Sequence, residues 1–454
     1  MTTQKRTKIV CTLGPATETK DMIRALVDAG MNVARLNFSH GTYENHALLI
    51  SRVREVEQET GQPIAILQDL QGPKIRVGEL PDVGVELKKG ETVVFDTALA
   101  VYDGTVIPVG YKDLHTHVQE GERLLLDDGN MEVCITRVTG TAIGAVVKMG
   151  GILLSHKGIN IPDSHVALSA MTEKDKEDAR FGVAHNVDYI ALSFVTSEKD
   201  IQELRSLIVV YEQESGKTPQ TPIGIIAKIE RPGAVEHIEE ILNEADGIMI
   251  ARGDLGVETP ASQVPLVQKR LIGLARASTK PVIVATQMLD SMTHHSRPTR
   301  AEVSDVANAV IDHTDAVMLS NESATGEYPL EAVAIMAETI RETEASVYDD
   351  VPVSDSSPIR AAASEHGAVG IVMSDATNES VRLVSQQRIE LPLYVCSGDI
   401  RALRQWGLLW GVVPCQVHVG ETTNAESVRH HGLVSGDVLL NISSTGLAQS
   451  LMTI

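Results

Sequence analysis

Residues 223–256 read IGIIAKIERPGAVEHIEEILNEADGIMIARGDLG, and this stretch decides the fold. Two apolar runs within it, Ile223–Ile226 and Gly247–Ile250, read as buried strands, with a helical stretch between them. Each run closes on charge. Ala227-Lys228-Ile229-Glu230 ends the first, and Ala251-Arg252-Gly253-Asp254-Leu255-Gly256 ends the second. Charge at the end of an apolar strand is costly unless it has a task. Side chains alternate along a strand, so Lys228 and Glu230 point to one side. If the two strands are neighbours, Glu230 and Asp254 can meet. Two carboxylates in one cleft either share a proton or hold a cation. With Lys228 and Arg252 alongside, this chemistry suits an anion such as phosphate, bridged by a divalent metal. Surface salt bridging at strand ends is the plainer alternative.

The same rhythm extends outward. Strands are expected at Lys8–Leu13, Val33–Phe38 and Ile64–Leu70, with helices at Thr19–Ala29 and Thr42–Glu59. From 73 to 157 the pattern changes to short alternating runs and turn signals such as Asp103-Gly104, Asp128-Gly129 and Gly150-Gly151, which reads as an all-β insert. Strands then resume at Tyr189–Val195, Ile223–Ile229, Gly247–Arg252, Pro281–Thr286 and Ala316–Ser320. Three strands before the insert and five after it make eight, which suggests a closed (β/α)8 TIM barrel. A polar, Pro-punctuated connector at 349–358 leads to strand-like Gly370–Met373, Leu393–Cys396 and Val438–Ile442. The expected organisation is therefore a barrel from 1–72 and 158–344, a β insert at 73–157 after strand three, and a C-terminal α/β domain at 345–454.

Composition excludes several classes. A formal net charge of −22 argues against binding duplex nucleic acid, whose backbone needs a basic footprint. Aromatics at 3% leave few platforms for stacking single strands. Cys11, Cys134, Cys396 and Cys415 form no CxxC pair, so neither a zinc site nor a disulfide framework is suggested. Nothing approaches the apolar length of a membrane helix, and the opening MTTQKRTKIVCTLGPAT lacks a signal-peptide core. A cytoplasmic protein with reduced thiols is the expectation.

In such a barrel, functional groups gather where the strands end. Strand two ends in Arg35, Asn37 and Ser39 on one side, followed by His40. Strand three ends in Asp69 and leads into Gln71-Gly72-Pro73-Lys74-Ile75-Arg76. Strands five and six supply Lys228, Glu230, Arg252, Gly253 and Asp254; strand seven adds Thr286, and strand eight Ser320-Asn321-Glu322. Singly, such residues are turn, cap or ion-pair residues more often than catalysts. Their common rim makes the constellation stronger than its parts.

The strings RLNFSHG (35–41), DLQGPKIR (69–76), AKIE (227–230), ARGDLG (251–256), ATQMLDSM (285–292) and PTRAEVSDVANAV (298–310) closely resemble pyruvate kinase, in family order and spacing. The resemblance covers about residues 5–340. It implies transfer of the phosphoryl group of phosphoenolpyruvate to ADP in glycolysis, giving pyruvate and ATP, by a homotetramer. It also implies Mg2+ or Mn2+ on Glu230 and Asp254. Lys228 and Arg35 would meet the transferred phosphoryl, and Gly253 and Asp254 the substrate carboxylate. Thr286 would stand by the enolate methylene, and Arg76, Lys157 and His40 by the nucleotide phosphates. The insert would act as a lid.

Departures from the family pattern carry their own expectations. Asn37, Ser39 and Asp69 match the ligands of a family K+ site, but Leu70 stands where Thr is usual, Lys74 where Glu is usual, and Val77 where Thr is usual. This combination resembles members that work without K+, with the Lys74 ammonium supplying the charge. The stretch Thr377-Asn378-Glu379-Ser380 replaces a phosphate-binding effector loop and places an acid where Arg is common. The tail Asn441–Gly446 lacks the Trp- and Arg-bearing loop that usually closes that site. Activation by fructose 1,6-bisphosphate is therefore not expected. Asn321 and Ser323 stand where Gly and Thr are common. Two rival readings remain. One is a metal-dependent lyase or aldolase acting on pyruvate or phosphoenolpyruvate on the same barrel; the other is a non-catalytic relative.

Overall fold

The computed structural model describes residues 5–163, 170–216, 219–349, 357–417, 428, 433–445 and 448–454. Most of the 349–358 connector, and Gly446 of the tail, lie outside them.

Eight parallel strands close into a barrel: β1 (Lys8–Thr12), β2 (Val33–Asn37), β3 (Ala65–Asp69), β4 (Tyr189–Leu192), β5 (Gly224–Ile229), β6 (Gly247–Ala251), β7 (Val282–Ala285) and β8 (Ala316–Leu319). Each pairs with its sequence neighbours, and β8 closes on β1 with Lys8 opposite Ala316. Alternation sorts the side chains. Val10, Val33, Leu67, Ile226, Met249 and Ile283 fill the interior, while Ile9, Cys11, Ile66, Ile225 and Ile250 face the helices. Aliphatic and Ala packing explains how so few aromatics suffice. Helix starts are set by threonines. Thr19 and Thr42 cap the first two outer helices, and Thr172 and Thr299 form capping boxes with Asp175 and Glu302.

The insert holds a six-stranded sheet and a two-stranded one, with its own core around Phe95, Leu124, Ile135 and Ile143. It also contains a one-turn helix, Leu114–His117. The last strand of its larger sheet is Ile159–Asn160, so that sheet runs past residue 157. In the C-terminal domain the strand order is Val412–Gln416, Leu393–Ser397, Gly370–Met373, Val438–Ile442, Ala448–Thr453, parallel except for the last. This domain seals the bottom of the barrel. Leu408 joins the interior cluster, and the Gln405 amide donates to the carbonyls of Asp188 and Pro222. No described helix is long and apolar enough to cross a membrane.

Candidate active site

The strand ends opposite that seal form the rim. Lys228 and Glu230 leave β5 on the same side, and Lys228 Nζ stands 2.9 Å from Glu230 Oε1. Its second acid is Asp69 at the end of β3, at 3.1 Å, and it donates to Ser193 Oγ at 2.7 Å. Burial alone would lower the Lys228 pKa. Asp69 and Glu230 more than reverse this and push it above the ordinary lysine value. Lys228 is therefore a fixed positive charge. Asp69 is fully buried, which by itself would favour its neutral form. Lys228 and Arg35 hold it below the usual carboxylate range instead. Arg35 Nε donates to Asp69 Oδ2 at 2.7 Å, and its Nη1 to Thr12 Oγ1 at 2.8 Å.

Glu230 is buried as well. Its Oε2 accepts from the Phe194 N–H at 2.7 Å. Burial, and then the neighbouring charge of Asp254, raise its pKa against the pull of Lys228. Asp254 lies in the first turn of the helix Arg252–Glu258, which starts where β6 stops. Two neighbouring acids that repel each other, Glu230 buried and Asp254 partly exposed, are donors suited to Mg2+ or Mn2+. Among the described residues no cluster of three or more His, Cys, Asp or Glu could hold a metal. An ion held by this pair would take its other ligands from substrate and water.

Thr286, just past β7, accepts the Gly253 N–H at 2.7 Å and donates to Ala285 O at 2.6 Å. Asn37 Oδ1 accepts from the Ser39 N–H at 3.1 Å, and the exposed His40 offers its carbonyl to His46 at 2.9 Å. Leu70 is buried, and its carbonyl accepts from Ser193 Oγ at 2.6 Å.

Arg76 and Lys157 sit on the two chains that form the neck of the insert. Arg76 bridges to Gly158, and the Val77 N–H donates to Lys157 O at 2.9 Å. Their side chains are turned to local partners: Arg76 to His156 O at 2.9 Å, Lys157 to Asp127 at 2.7 Å. Lys74 runs between insert and barrel, with Nζ 3.2 Å from Asp128 and 3.5 Å from Asp254. It is not a solvated surface lysine. Asp69, at the expected K+ site, is paired with Arg35 and Lys228.

Ser193 and Phe194 escaped the sequence reading. The apolar run suggests a fourth strand to Val195, but the strand stops at Leu192, and Phe194 takes a left-handed φ of 55°. The usable signal was a Ser directly after four buried strand residues at a barrel rim. Asp305, which pairs with Arg252 at 2.7 Å, lies within the 298–310 string, but its mid-helix position far along the chain gives no sign of that partner.

The family model for the pyruvate kinase barrel domain matches residues 4–333. The chain is 42% identical to pyruvate kinase 2 of Synechocystis sp. over 97% of its own length and 77% of that relative. It is 49% identical to the pyruvate kinase of Thermococcus litoralis over 75% of its length and 70% of the relative. With the pyruvate kinase of Mycobacterium tuberculosis it shares 42% identity over 90% and 86% of the two chains. The family-model match runs through the barrel and the insert, and the relatives covered over 90% and 97% of this chain also extend into the C-terminal domain. The chain belongs to the pyruvate kinase family.

Proposed function

We propose that this chain moves the phosphoryl group of phosphoenolpyruvate to ADP, giving pyruvate and ATP. One observation supports the reading most: Lys228 is held as a permanent cation between Asp69 and Glu230, beside Asp254, at the rim of a family barrel. Phosphoryl transfer asks little covalent chemistry of a protein and depends on positioning and electrostatics. Lys228 and Arg35 neutralise the phosphoryl group in flight. Glu230 and Asp254 hold Mg2+ or Mn2+, which when bound adds positive charge to the phosphoryl oxygens. Gly253 and Asp254 face the substrate carboxylate, for which the Gly253 N–H must release Thr286. Thr286 stands where the enolate carbon takes its proton. Arg76, Lys157 and His40 meet the nucleotide, the first two by exchanging their present partners for phosphate. Because both flank the neck of the insert, its closure over the rim excludes water that would otherwise take the phosphoryl.

Pyruvate formation from phosphoenolpyruvate and ADP, with each component omitted in turn, tests this. Activity should vanish without the divalent metal and without ADP. Breakdown of phosphoenolpyruvate without ADP would favour the lyase reading, and no turnover at all would favour the non-catalytic one.

Two finer proposals follow from the departures. Lys74 supplies the positive charge for which the family pattern sets a K+ ion at Asn37, Ser39, Asp69 and the position of Leu70; its ammonium reaches the rim 3.5 Å from Asp254, while Asp69 is already paired with Arg35 and Lys228. Rates in sodium or tetramethylammonium buffer should match those in potassium, and a many-fold rise with K+ would reject the idea. Fructose 1,6-bisphosphate does not activate, because Glu379 occupies the first turn of the helix that Thr377 caps. A left shift of the phosphoenolpyruvate curve on adding it would overturn that. A cytoplasmic homotetramer is the form we expect, and light scattering would show its mass.

A further inference from the structure

The sequence sets Arg252 beside Lys228 as a second cation for a bound anion, but in the structure its guanidinium is committed to protein partners and no step above uses it. Its side chain is largely buried. One Nη donates to Asp305 Oδ1 at 2.7 Å, and also reaches Gln268 Oε1 at 3.4 Å. The other donates to the Thr286 carbonyl at 2.8 Å. Asp305 lies on the helix Arg300–Ile311 and Gln268 on Val264–Ala277. The guanidinium therefore braces one peptide, that of Thr286, against two helices.

That peptide is strained. Thr286 has φ 70° and Gln287 φ 55°. A β-branched residue at positive φ is an outlier, because its branched side chain crowds the backbone carbonyl. Such conformers persist only where the surroundings over-determine them. Turned this way, the Thr286 hydroxyl lies between the Gly253 N–H and the Ala285 carbonyl, at the rim. An extended Thr286 would place its hydroxyl elsewhere.

We propose that Arg252, buttressed by Asp305, is a positioning residue: it holds Thr286 in the left-handed conformation and so sets its hydroxyl for the proton step. The inference rests on the kinase reading. Loss of the phosphoryl group leaves the enolate of pyruvate. Its methylene carbon gains a proton and becomes the methyl group. The Thr286 hydroxyl, or a water it holds, gives that proton and is reprotonated from solvent. A lysine at 252 keeps the charge but not the planar fork that reaches Asp305 and Thr286 together.

Arg252→Lys and Asp305→Asn test the proposal. Asp305 is a third exposed, so the second variant keeps the fold should the first lose it. Three readouts apply: steady-state kcat and KM, exchange of pyruvate methyl protons into D2O with Mg2+ and ATP followed by NMR, and the solvent deuterium isotope effect. Arg252→Lys should lower kcat about 10–100-fold and Asp305→Asn roughly 3–10-fold, with KM for phosphoenolpyruvate within about threefold. Methyl exchange should fall at least as far as kcat, and the isotope effect should rise. In a Thr286→Ser background, without the β-branch, the loss from Arg252→Lys should shrink. Unchanged kcat and exchange would overturn the proposal. So would a loss carried in KM, or an Arg252→Lys effect undiminished by Thr286→Ser. A wild-type chain that forms no pyruvate would instead end the kinase reading, and this inference with it.

Discussion

At the scale of single residues, Lys228 shows how a buried charge is maintained. Burial alone would favour its neutral amine, but two carboxylates within 3.1 Å reverse that. A group so firmly protonated is an electrostatic element and no general acid. Lys228→Met should therefore lower kcat about 10²–10³-fold, as expected for loss of a preorganised donor. It should also cost about 3–5 kcal/mol of stability, since Glu230 and Asp69 lose a shared partner in a buried site. Denaturant titration beside steady-state kinetics separates the two effects; a variant with full stability would show that the acids find compensation elsewhere. The pairing of Lys228 with Glu230 was legible, because period two fixes which residues share a side. Its contact with Ser193 was not. It depends on where β4 stops, and Phe194 leaves the strand through a backbone conformation that apolar pattern does not encode.

At the scale of elements, all eight barrel strands were legible, because each is a short apolar run closed by a turn or a helix. The strands end one to three residues earlier than their sequence pattern suggests where rim residues leave the ladder, as at Arg252, Thr286 and Ser193. Two strands of the C-terminal domain were missed. Val412–Gln416 carries Pro414, which argues against a strand except at a sheet edge, where this one lies. Ala448–Thr453 reads AQSLMT, with little β-branched character. The loop after β3 gives a sharp test. Gly72 has φ 70°, and a Cβ there would lie 2.8 Å from Phe194 Cδ2 and 2.9 Å from Ser193 Cβ. Gly61 has a similar φ of 67° at the end of the helix Tyr43–Thr60, with nothing within 4 Å of an added Cβ. Gly61→Ala should cost about 1 kcal/mol and leave kcat alone. Gly72→Ala should cost about 1–3 kcal/mol and lower kcat, because it displaces the residue that receives the Lys228 hydrogen bond. Equal kinetics for the two variants would show that the Ser193–Phe194 segment has no part in holding the site.

At the scale of the whole molecule, the end of the barrel opposite the rim is held by charge as well as by Leu408. Lys8 opens β1, is 4% exposed, and donates to Val412 O of the C-terminal domain at 2.6 Å. Burial lowers its pKa to about 8, against the opposing pull of Glu344 and Asp315. An unfolded lysine titrates near 10.4. Below about 8 both states hold the proton, and the folded state bears the full cost of a buried charge. Between about 8 and 10 the folded lysine is neutral while the unfolded one is still charged. The unfolded state then binds more protons, so stability rises with pH across that window. Relative to Lys8→Met, the wild-type chain should gain about 2 kcal/mol between pH 7.5 and 9.5. Urea titrations of both proteins at the two pH values measure the difference, which cancels the groups that Lys8 does not influence; Lys5, whose pKa the Lys8 charge lowers, is held as Lys5→Met in both. A constant difference would mean that Lys8 keeps its ordinary proton affinity, and that water reaches the seam between barrel and C-terminal domain. A rising one would show that the seam is dry, so that motion of the C-terminal domain has to pass through a buried charge to reach β1.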